Sequence, residues 1–183
     1  MKQTKLDLEQ FGLQYIESKK FLDERGTLKK VYHSDSNLKK DLPELKEVFF
    51  TFSKKGTIRG MHLQGPVHEM QKLIMVVDGL ILDLIVDCNK GSENYGTYKK
   101  VELDKNSDAI LIPNGFAHGF QVLSDTAIVM YGTDADFCSK CDTGFNYDSL
   151  KIEWPIEDKI ISKKDLNLID FSNFDYSIEK SHS

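Results

Sequence analysis

Short apolar runs, separated by glycine, asparagine and aspartate, dominate the hydrophobic pattern between residues 47 and 131. Runs of this length and spacing are typical of β-strands and favour an all-β sandwich or barrel over alternating strands and helices. Asp78-Gly79 also predicts a hairpin turn between two of the runs. The predicted strands are Glu47–Phe52, Lys72–Val77, Leu80–Asp87, Thr97–Leu103, Ala109–Ile112 and Ala127–Tyr131.

Two shorter strands are predicted ahead of this central region. They cover Phe11–Ile16 and Thr27–Tyr32, and Asp23-Glu24-Arg25-Gly26 forms a turn between them. Residues Ser36–Lys46 are polar and rich in lysine, and they predict a short helix or loop.

The C-terminal part of the chain differs in composition from the strand-rich centre. After Trp154-Pro155 it becomes charged, which predicts a helical or irregular tail. The length of 183 residues fits a single domain that buries its own core. We therefore expect one domain over residues 1–183, with a barrel core at about 45–135 and a peripheral segment at about 150–183.

The bulk composition excludes several classes of protein. A formal net charge of −5 argues against a nucleic-acid binder, although a few local cations could still hold a nucleotide. No apolar run approaches the roughly 20 residues of a membrane span, and Met1–Asp7 has no apolar core of the kind a secretory signal needs. Three cysteines, an odd number, fit a reducing cytoplasm better than a disulfide framework.

Several cationic or titratable side chains fall in or beside predicted strands. Such side chains seldom occur inside a sheet unless they have a function. Arg59 and His62 lie three residues apart and would face opposite sides of a regular strand. Gly60 between them permits a bulge that would turn both side chains inward. Lys72 begins an apolar strand ten residues later. Taken alone His62 fits a core histidine, but Arg59, His62 and Lys72 together fit an anionic substrate and acid–base chemistry.

Other polar residues in apolar surroundings allow both a structural and a functional interpretation. Asp83 lies within a continuous apolar run, so it must be paired, either structurally or as a supporting partner of a site base. His118 enters a strand from a turn bounded by proline and glycine, and could cap, pack or contact a ligand. Tyr131 ends an apolar strand and could anchor the barrel or act as a general acid.

Cys138 and Cys141 have the Cys-x-x-Cys spacing used by zinc and redox sites. Zinc requires further ligands, and only Cys88 and five histidines remain in the chain. A redox pair is expected at the start of a helix, which the pattern does not predict here. Neither use is therefore expected.

One motif resembles half of the cupin signature. Pro113, Gly115 and His118 are spaced as Pro-x-Gly-x-x-His, which implies a small β-barrel with His118 inside it. A metal-binding cupin usually carries His-x-His on an earlier strand, where this chain has His62-Leu63-Gln64. We therefore expect a cupin-type jelly-roll β-barrel or sandwich with a few short peripheral helices, working without a metal or other cofactor.

The complete set of motifs resembles the dTDP-4-dehydrorhamnose 3,5-epimerase family, metal-free cupins that act on nucleotide-linked 4-keto-6-deoxy sugars. The resemblance extends from about Asp23 to Asp165, and the motifs occur together and in order. They are Asp23–Gly26, Gly56–His62, Gln71–Leu73, Asp83–Asp87, Tyr95-Gly96, Ile112–Phe120, Leu123–Asp125, Tyr131, Ile152–Pro155 and Ser162–Asp165.

The resemblance implies an isomerase that inverts C3, C5 or both through an enolate, in surface-polysaccharide synthesis such as that of lipopolysaccharide or capsule. His62 would be the base and Asp165 the carboxylate paired with it. Tyr131 would be the acid on the opposite face of the sugar, because inversion needs two groups flanking the ring. Lys72 would stabilise the enolate oxygen.

The resemblance also implies how the nucleotide is bound. Arg59 and Arg25 would hold the diphosphate, and Arg25 would arrive from the partner in a homodimer. Phe137 would stack on the base and His118 would contact the sugar or diphosphate. The remaining candidate substrate contacts are Gln64, Asp142 and Lys164.

The chain departs from the family pattern mainly on the nucleotide side. Val48–Phe52 stands where the family usually has glutamine and asparagine, Lys30 replaces a glutamate, and the segment before Trp154 is about two residues short. A GDP- or CDP-linked sugar or a heptose thus stays open. So do an epimerase of one carbon only, a 3,4-ketoisomerase, a non-catalytic sugar-nucleotide binder and a metal-dependent cupin.

Overall fold

The structure is a computed structural model, and it describes residues 5–32 and 42–176. Within these residues short helices lie near the two ends, at Lys5–Gln10 (α1) and Lys163–Leu166 (α2), with 3₁₀ turns at Pro66–His68 and Phe171–Asn173. The strands are β1 (Gln14–Ile16), β2 (Lys19–Asp23), β3 (Gly26–Lys30), β4 (Glu47–Lys54), β5 (Thr57–Gln64), β6 (Lys72–Asp78), β7 (Leu80–Asp87), β8 (Tyr98–Asp104), β9 (Ala109–Ile112), β10 (Phe116–Val122), β11 (Thr126–Thr133), β12 (Asp142–Gly144) and β13 (Ile160–Ile161).

Two sheets form the body of the fold. The first has the order β1-β9-β6-β11-β4, and the second has the order β12-β5-β10-β7-β8, with β13 added beside β5. Apart from the parallel β13–β5 pair, the strands of both sheets are antiparallel. The strands β2 and β3 form a separate hairpin.

The main hydrophobic core lies between the two sheets. It contains Ile74 and Val129 from the first sheet together with Ile81, Ile85 and Phe120 from the second. Side chains alternate between the faces of a strand, so the odd positions of β7 point into this core. The predicted jelly-roll barrel is therefore confirmed: the two sheets face each other and share their interior.

A second core covers the outer face of the second sheet. Leu84 and Val86, the even positions of β7, pack there with Phe145, Trp154 and Phe174 from the C-terminal part of the chain. This arrangement explains the continuous apolar run of β7, which is buried on both faces. The segment after the barrel thus closes one wall of it rather than forming a free tail.

The strands predicted in the centre of the chain are confirmed, but the predicted hairpin at Asp78-Gly79 is wrong. β6 pairs with β9 and β11 in the first sheet, whereas β7 pairs with β8 and β10 in the second. Gly79 does adopt a positive φ of 85°, as a tight turn requires. The turn therefore carries the chain from one sheet to the other, because local turn chemistry does not determine which strands pair.

The N-terminal region contains one more strand than expected. The turn predicted at Asp23–Gly26 is confirmed, and it joins β3 to the unpredicted β2. The expectation of a helix or loop at Ser36–Lys46 falls largely on residues 33–41, outside the described residues. Among residues 5–32 and 42–176, no helix is long and apolar enough to cross a membrane.

Candidate active site

One cavity of about 640 Å³ opens between the two sheets. Its size suits a small organic ligand. Both sheets contribute to its walls, and α2 closes one side. Ten of the sequence-predicted site residues line it or lie directly at its mouth: Arg59, His62, Gln64, Lys72, His118, Tyr131, Phe137, Asp142, Lys164 and Asp165.

The predicted bulge in β5 brings Arg59 and His62 to the same side. The pairing of β5 with β10 shifts register between these two residues, with His62 opposite His118 and Arg59 opposite Phe120. Gly60 has φ of 127°, and a Cβ there would lie 2.6 Å from the backbone of the neighbouring strand, so a glycine is required. The extra residue lets the side chains of both Arg59 and His62 enter the cavity.

His62 is paired with a carboxylate at the cavity wall. Its Nε2 lies 2.8 Å from Oδ1 of Asp165, which is buried. Ser162 caps α2 by accepting a hydrogen bond from the Asp165 amide, and the Gly60 amide donates to Asp165 Oδ2. Burial by itself raises the pKa of Asp165, but hydrogen bonds from His62, Gly60 and Ser162 keep that pKa below its ordinary value.

A second histidine–aspartate pair lies on the adjacent strands. His118 Nε2 is 2.6 Å from Asp83 Oδ1, and both side chains are fully enclosed. Asp83 Oδ2 has no hydrogen-bond donor within the described part of the chain. Asp83 is therefore paired as predicted, and its partner is a histidine at the cavity wall. His118 lies within β10 rather than in the turn before it.

Tyr131 contributes to the cavity from the opposite sheet. It lies on β11, is buried, and stacks on Phe49 with ring centroids 4.8 Å apart and planes 4° apart. His118 contacts it edge-to-face at 5.7 Å. Burial raises the pKa of Tyr131, the charge of Asp83 raises it further, and Arg59 opposes them. The phenol therefore keeps its proton at neutral pH.

Lys72 brings an ammonium group to the cavity at the start of β6. Its Nζ donates to the backbone carbonyl of His62 at 2.9 Å, which places the charge beside the imidazole-bearing strand. Burial lowers the pKa of Lys72 to about 8, although the Asp142 carboxylate opposes the change. Below about pH 8 the amine is therefore mainly in its charged, ammonium form.

The cavity also carries cations that no acidic side chain of the described residues neutralises. Arg59 donates through Nε to Ser53 Oγ at 3.0 Å, and neither it nor Lys54 forms an ion pair there. Lys164, by contrast, is paired with Asp142. Arg59 and Lys54 therefore form an electropositive edge suited to an anionic ligand.

Two predicted binding residues have structural partners within the chain. Gln64 accepts a hydrogen bond from the Cys138 amide and donates to the His68 carbonyl, so it ties two loops together. Phe137 is exposed at the mouth, and its amide donates to Glu47. Gln64 thus shapes the wall, while the ring of Phe137 remains open to a ligand.

Arg25 is the predicted site residue that the fold does not bring to this cavity. It lies at the tip of the β2–β3 hairpin, with its side chain 85% exposed and ion-paired with Asp23 at 2.5 Å. Within one chain it therefore contacts neither His62 nor Arg59.

Sequence reasoning missed several residues that line or support the cavity from β4. Phe49 stacks on Tyr131, Ser53 holds Arg59, and Thr51 points a buried hydroxyl without a partner among the described residues. Alternation along Glu47–Lys54 could have identified these odd positions as facing inward. Ser162 could have been found from the Ser-x-x-Asp spacing, which resembles a capping box.

The arrangement can perform proton transfer at two faces of one ligand. A histidine with a carboxylate partner stands on the second sheet and a protonated phenol on the first, with a lysine ammonium nearby. Such a set can remove a proton from carbon, stabilise the oxyanion that results and return a proton from the other side.

The comparisons with known proteins agree on one family. The sequence profile of dTDP-4-dehydrorhamnose 3,5-epimerase matches residues 7–173. The enzyme of that name from Methanothermobacter thermautotrophicus is 36% identical over 166 residues, covering 85% of this chain and 88% of its own. The crystal structure of the Sulfolobus tokodaii enzyme superposes with a TM-score of 0.79 at 38% identity, covering 84% and 87% of the two chains. The Legionella pneumophila enzyme in complex with dTDP-4-keto-L-rhamnose gives a TM-score of 0.83 at 30% identity, covering 91% of each chain.

Proposed function

The chain belongs to the dTDP-4-dehydrorhamnose 3,5-epimerase family, and from this premise we propose the chemistry that its cavity performs. The protein is an isomerase that acts on a dTDP-linked 4-keto-6-deoxy sugar. It inverts carbons next to the ketone, in polysaccharide biosynthesis. The observation that supports this most strongly is the cavity itself, because a paired histidine and a buried tyrosine enter it from opposite sheets.

The first step is removal of a proton by His62. A hydrogen on a carbon next to a ketone is acidic enough for a positioned imidazole to abstract it. Asp165 orients the ring through the 2.8 Å hydrogen bond and stabilises the imidazolium that forms. The electron pair passes to the ketone oxygen, and the Lys72 ammonium stabilises the enolate that results.

The second step is return of a proton to the other face of the same carbon. Tyr131 is protonated at neutral pH because burial raises its pKa. Its ring stacks on Phe49, and the side chain lines the cavity from the first sheet. Donation from this side inverts the carbon, and repetition at the second carbon flanking the ketone completes a 3,5-epimerisation.

The remaining residues hold the nucleotide. Arg59, fixed by Ser53, presents its terminal nitrogens to the diphosphate, and His118 contacts the sugar or the diphosphate from the floor. Phe137 offers an exposed ring on which the base stacks. Asp142 and Lys164 form a pair at the edge of the pocket that borders the substrate.

The test of this function is hydrogen exchange from solvent. The purified protein is incubated in heavy water with a dTDP-linked 4-keto-6-deoxy sugar, and NMR follows both the label and the configuration of each carbon. We expect deuterium at C3 and C5 with inversion at both. Label and inversion at one carbon only would identify an epimerase of that carbon, and no incorporation at either would refute the proposed catalysis.

We further propose that the active protein is a homodimer that works in the cytoplasm. Val48, Phe50 and Phe52 expose an apolar stripe on β4, which is an edge strand of the first sheet. The β2–β3 hairpin exposes Phe21 and Leu22 as well. Exposed apolar surfaces and open sheet edges of this kind are typical of contact sites between subunits. A partner's hairpin would bring the exposed guanidinium of Arg25, which is paired with Asp23 in its own chain, to the diphosphate.

A mixing experiment tests whether Arg25 acts in the partner's site. Arg25→Ala and His62→Ala proteins are each expected to be strongly impaired. When they are unfolded together and refolded as mixed dimers, one site regains both residues. Activity should then recover to roughly a quarter of the wild-type value, because about half of random dimers are mixed and each has one intact site.

Two results would contradict this arrangement. Recovery no greater than the sum of the separate variants would place Arg25 in its own subunit's site or outside catalysis. A monomeric mass by light scattering, with full activity at the same protein concentration, would refute the proposed dimer. A mixture of Arg25→Ala with wild-type protein controls for refolding losses.

The pH dependence of turnover tests the role of Lys72. Burial lowers its pKa to about 8, so the stabilising ammonium is present below that pH and is lost above it. We expect kcat/KM, which reports the pKa values of the free enzyme, to fall as the pH rises through about 8. Tyr131 does not account for this fall, because its pKa is raised. Lys72→Arg should keep its charge and abolish the decline. A profile that stays flat to about pH 10 would contradict the assignment.

A further inference from the structure

Three side chains that can ligate a soft metal meet outside the catalytic constellation. The ligand atoms of His68, Cys138 and Cys141 all lie within 4.8 Å of one another. His68 comes from the 3₁₀ turn after β5, and the cysteines flank the turn before β12. The sequence did not indicate this meeting, because His68 and Cys138 are 70 positions apart.

Backbone hydrogen bonds hold the two loops together independently of the sulfur atoms. The Gly65 amide donates to the Cys141 carbonyl at 2.7 Å, and the His68 amide donates to the Gly65 carbonyl at 3.0 Å. Gln64 joins them from its side chain, accepting from the Cys138 amide at 2.7 Å and donating to the His68 carbonyl at 3.1 Å. None of these hydrogen bonds involves a sulfur atom, so we expect the two loops to stay together when the disulfide is reduced.

The chemistry of the cysteines differs between the two states. In the structure Cys138 and Cys141 form a disulfide with their Cα atoms 5.2 Å apart. A dithiol reductant converts it to two thiols, transferring two electrons and two protons and becoming a disulfide itself. Two thiols at Cys-x-x-Cys spacing with a nearby imidazole are a typical ligand set for zinc. Ligand atoms around a tetrahedral zinc lie roughly 3.5–4 Å apart. This separation is below the 4.8 Å within which the three ligand atoms lie here.

We propose that the reduced protein binds one Zn²⁺ ion through His68, Cys138 and Cys141, with water in the fourth position. Binding releases the two thiol protons as the thiolates form, and no electron is transferred. The site is separate from the acid–base residues. It lies beside them, however, because Phe137 precedes Cys138, Asp142 follows Cys141, and both line the substrate cavity. The ion would fix the wall of the cavity that these two residues form.

A metal titration of the reduced full-length protein tests the site. Co²⁺ is added first, because thiolate ligation produces a sulfur-to-metal charge-transfer absorption, and Zn²⁺ is then used to displace it in competition with a colorimetric chelator. We expect one ion per chain. Cys138→Ser, Cys141→Ser and His68→Ala should each weaken binding by at least roughly tenfold.

Controls separate this site from other thiols and from misfolding. Cys88→Ala removes the buried free cysteine and should leave both the stoichiometry and the absorption unchanged. Circular dichroism of each variant confirms that it is folded. Reduced protein without a charge-transfer band, a band that survives Cys138→Ser or Cys141→Ser, or equal binding by the oxidised protein would each overturn the proposal. None of these measurements uses the sugar substrate, so the result does not depend on the epimerase activity.

Discussion

Replacing His62 by alanine is expected to abolish both solvent exchange and epimerisation. His62 is the base of the proposed mechanism, and loss of a general base typically lowers the rate by roughly 10²- to 10⁴-fold. Its side chain is 29% exposed, so its removal should enlarge the cavity without creating a void in the core. Exchange and inversion should fall together, because both require the same carbon–hydrogen bond to break. Deuterium incorporation and product formation, followed by NMR, measure the two losses.

Two further measurements show that the missing group is the base. Added imidazole should restore part of the exchange in His62→Ala, since the deleted ring leaves space open to the cavity. Asp165→Asn should give an intermediate loss, because the amide can still orient the ring but no longer stabilises its charge. Binding of dTDP should be unchanged in both variants. His62→Ala protein that keeps exchange within about tenfold of wild type would rule out His62 as the base.

The sequence predicted the barrel because each central strand can be recognised from its own run of apolar residues. Leu80–Asp87 is apolar at nearly every position and is buried on both faces, so its prediction did not depend on its neighbours. The same run showed that Asp83 needs a partner. That the partner is His118 depends on the pairing of β7 with β10, which a local pattern does not specify.

The features of the site likewise divide into those that a local sequence pattern predicted and those that depend on distant contacts. Gly60 predicted a bulge in β5, and the structure shows that this bulge brings Arg59 and His62 to the cavity side of the strand. The contact of Asp165 with His62 joins residues 103 positions apart, and only the family resemblance indicated it. The Asp78-Gly79 hairpin failed because a turn reverses the chain without selecting a sheet. The meeting of His68 with the cysteines was missed because it depends on loop geometry.

Replacing Tyr131 by phenylalanine is expected to separate inversion from exchange. The variant keeps the ring stacked on Phe49 and removes only the hydroxyl. His62 can still remove the proton and return a deuteron to the same face, so exchange should fall by less than about tenfold. Inversion should fall by roughly 10²- to 10⁴-fold, because the donor on the opposite face is lost. NMR should show recovered substrate that carries deuterium with its configuration unchanged. Tyr95→Phe, outside the cavity, should alter neither rate. Equal losses of exchange and inversion in Tyr131→Phe would mean that the phenol acts in forming the enolate rather than in protonating it.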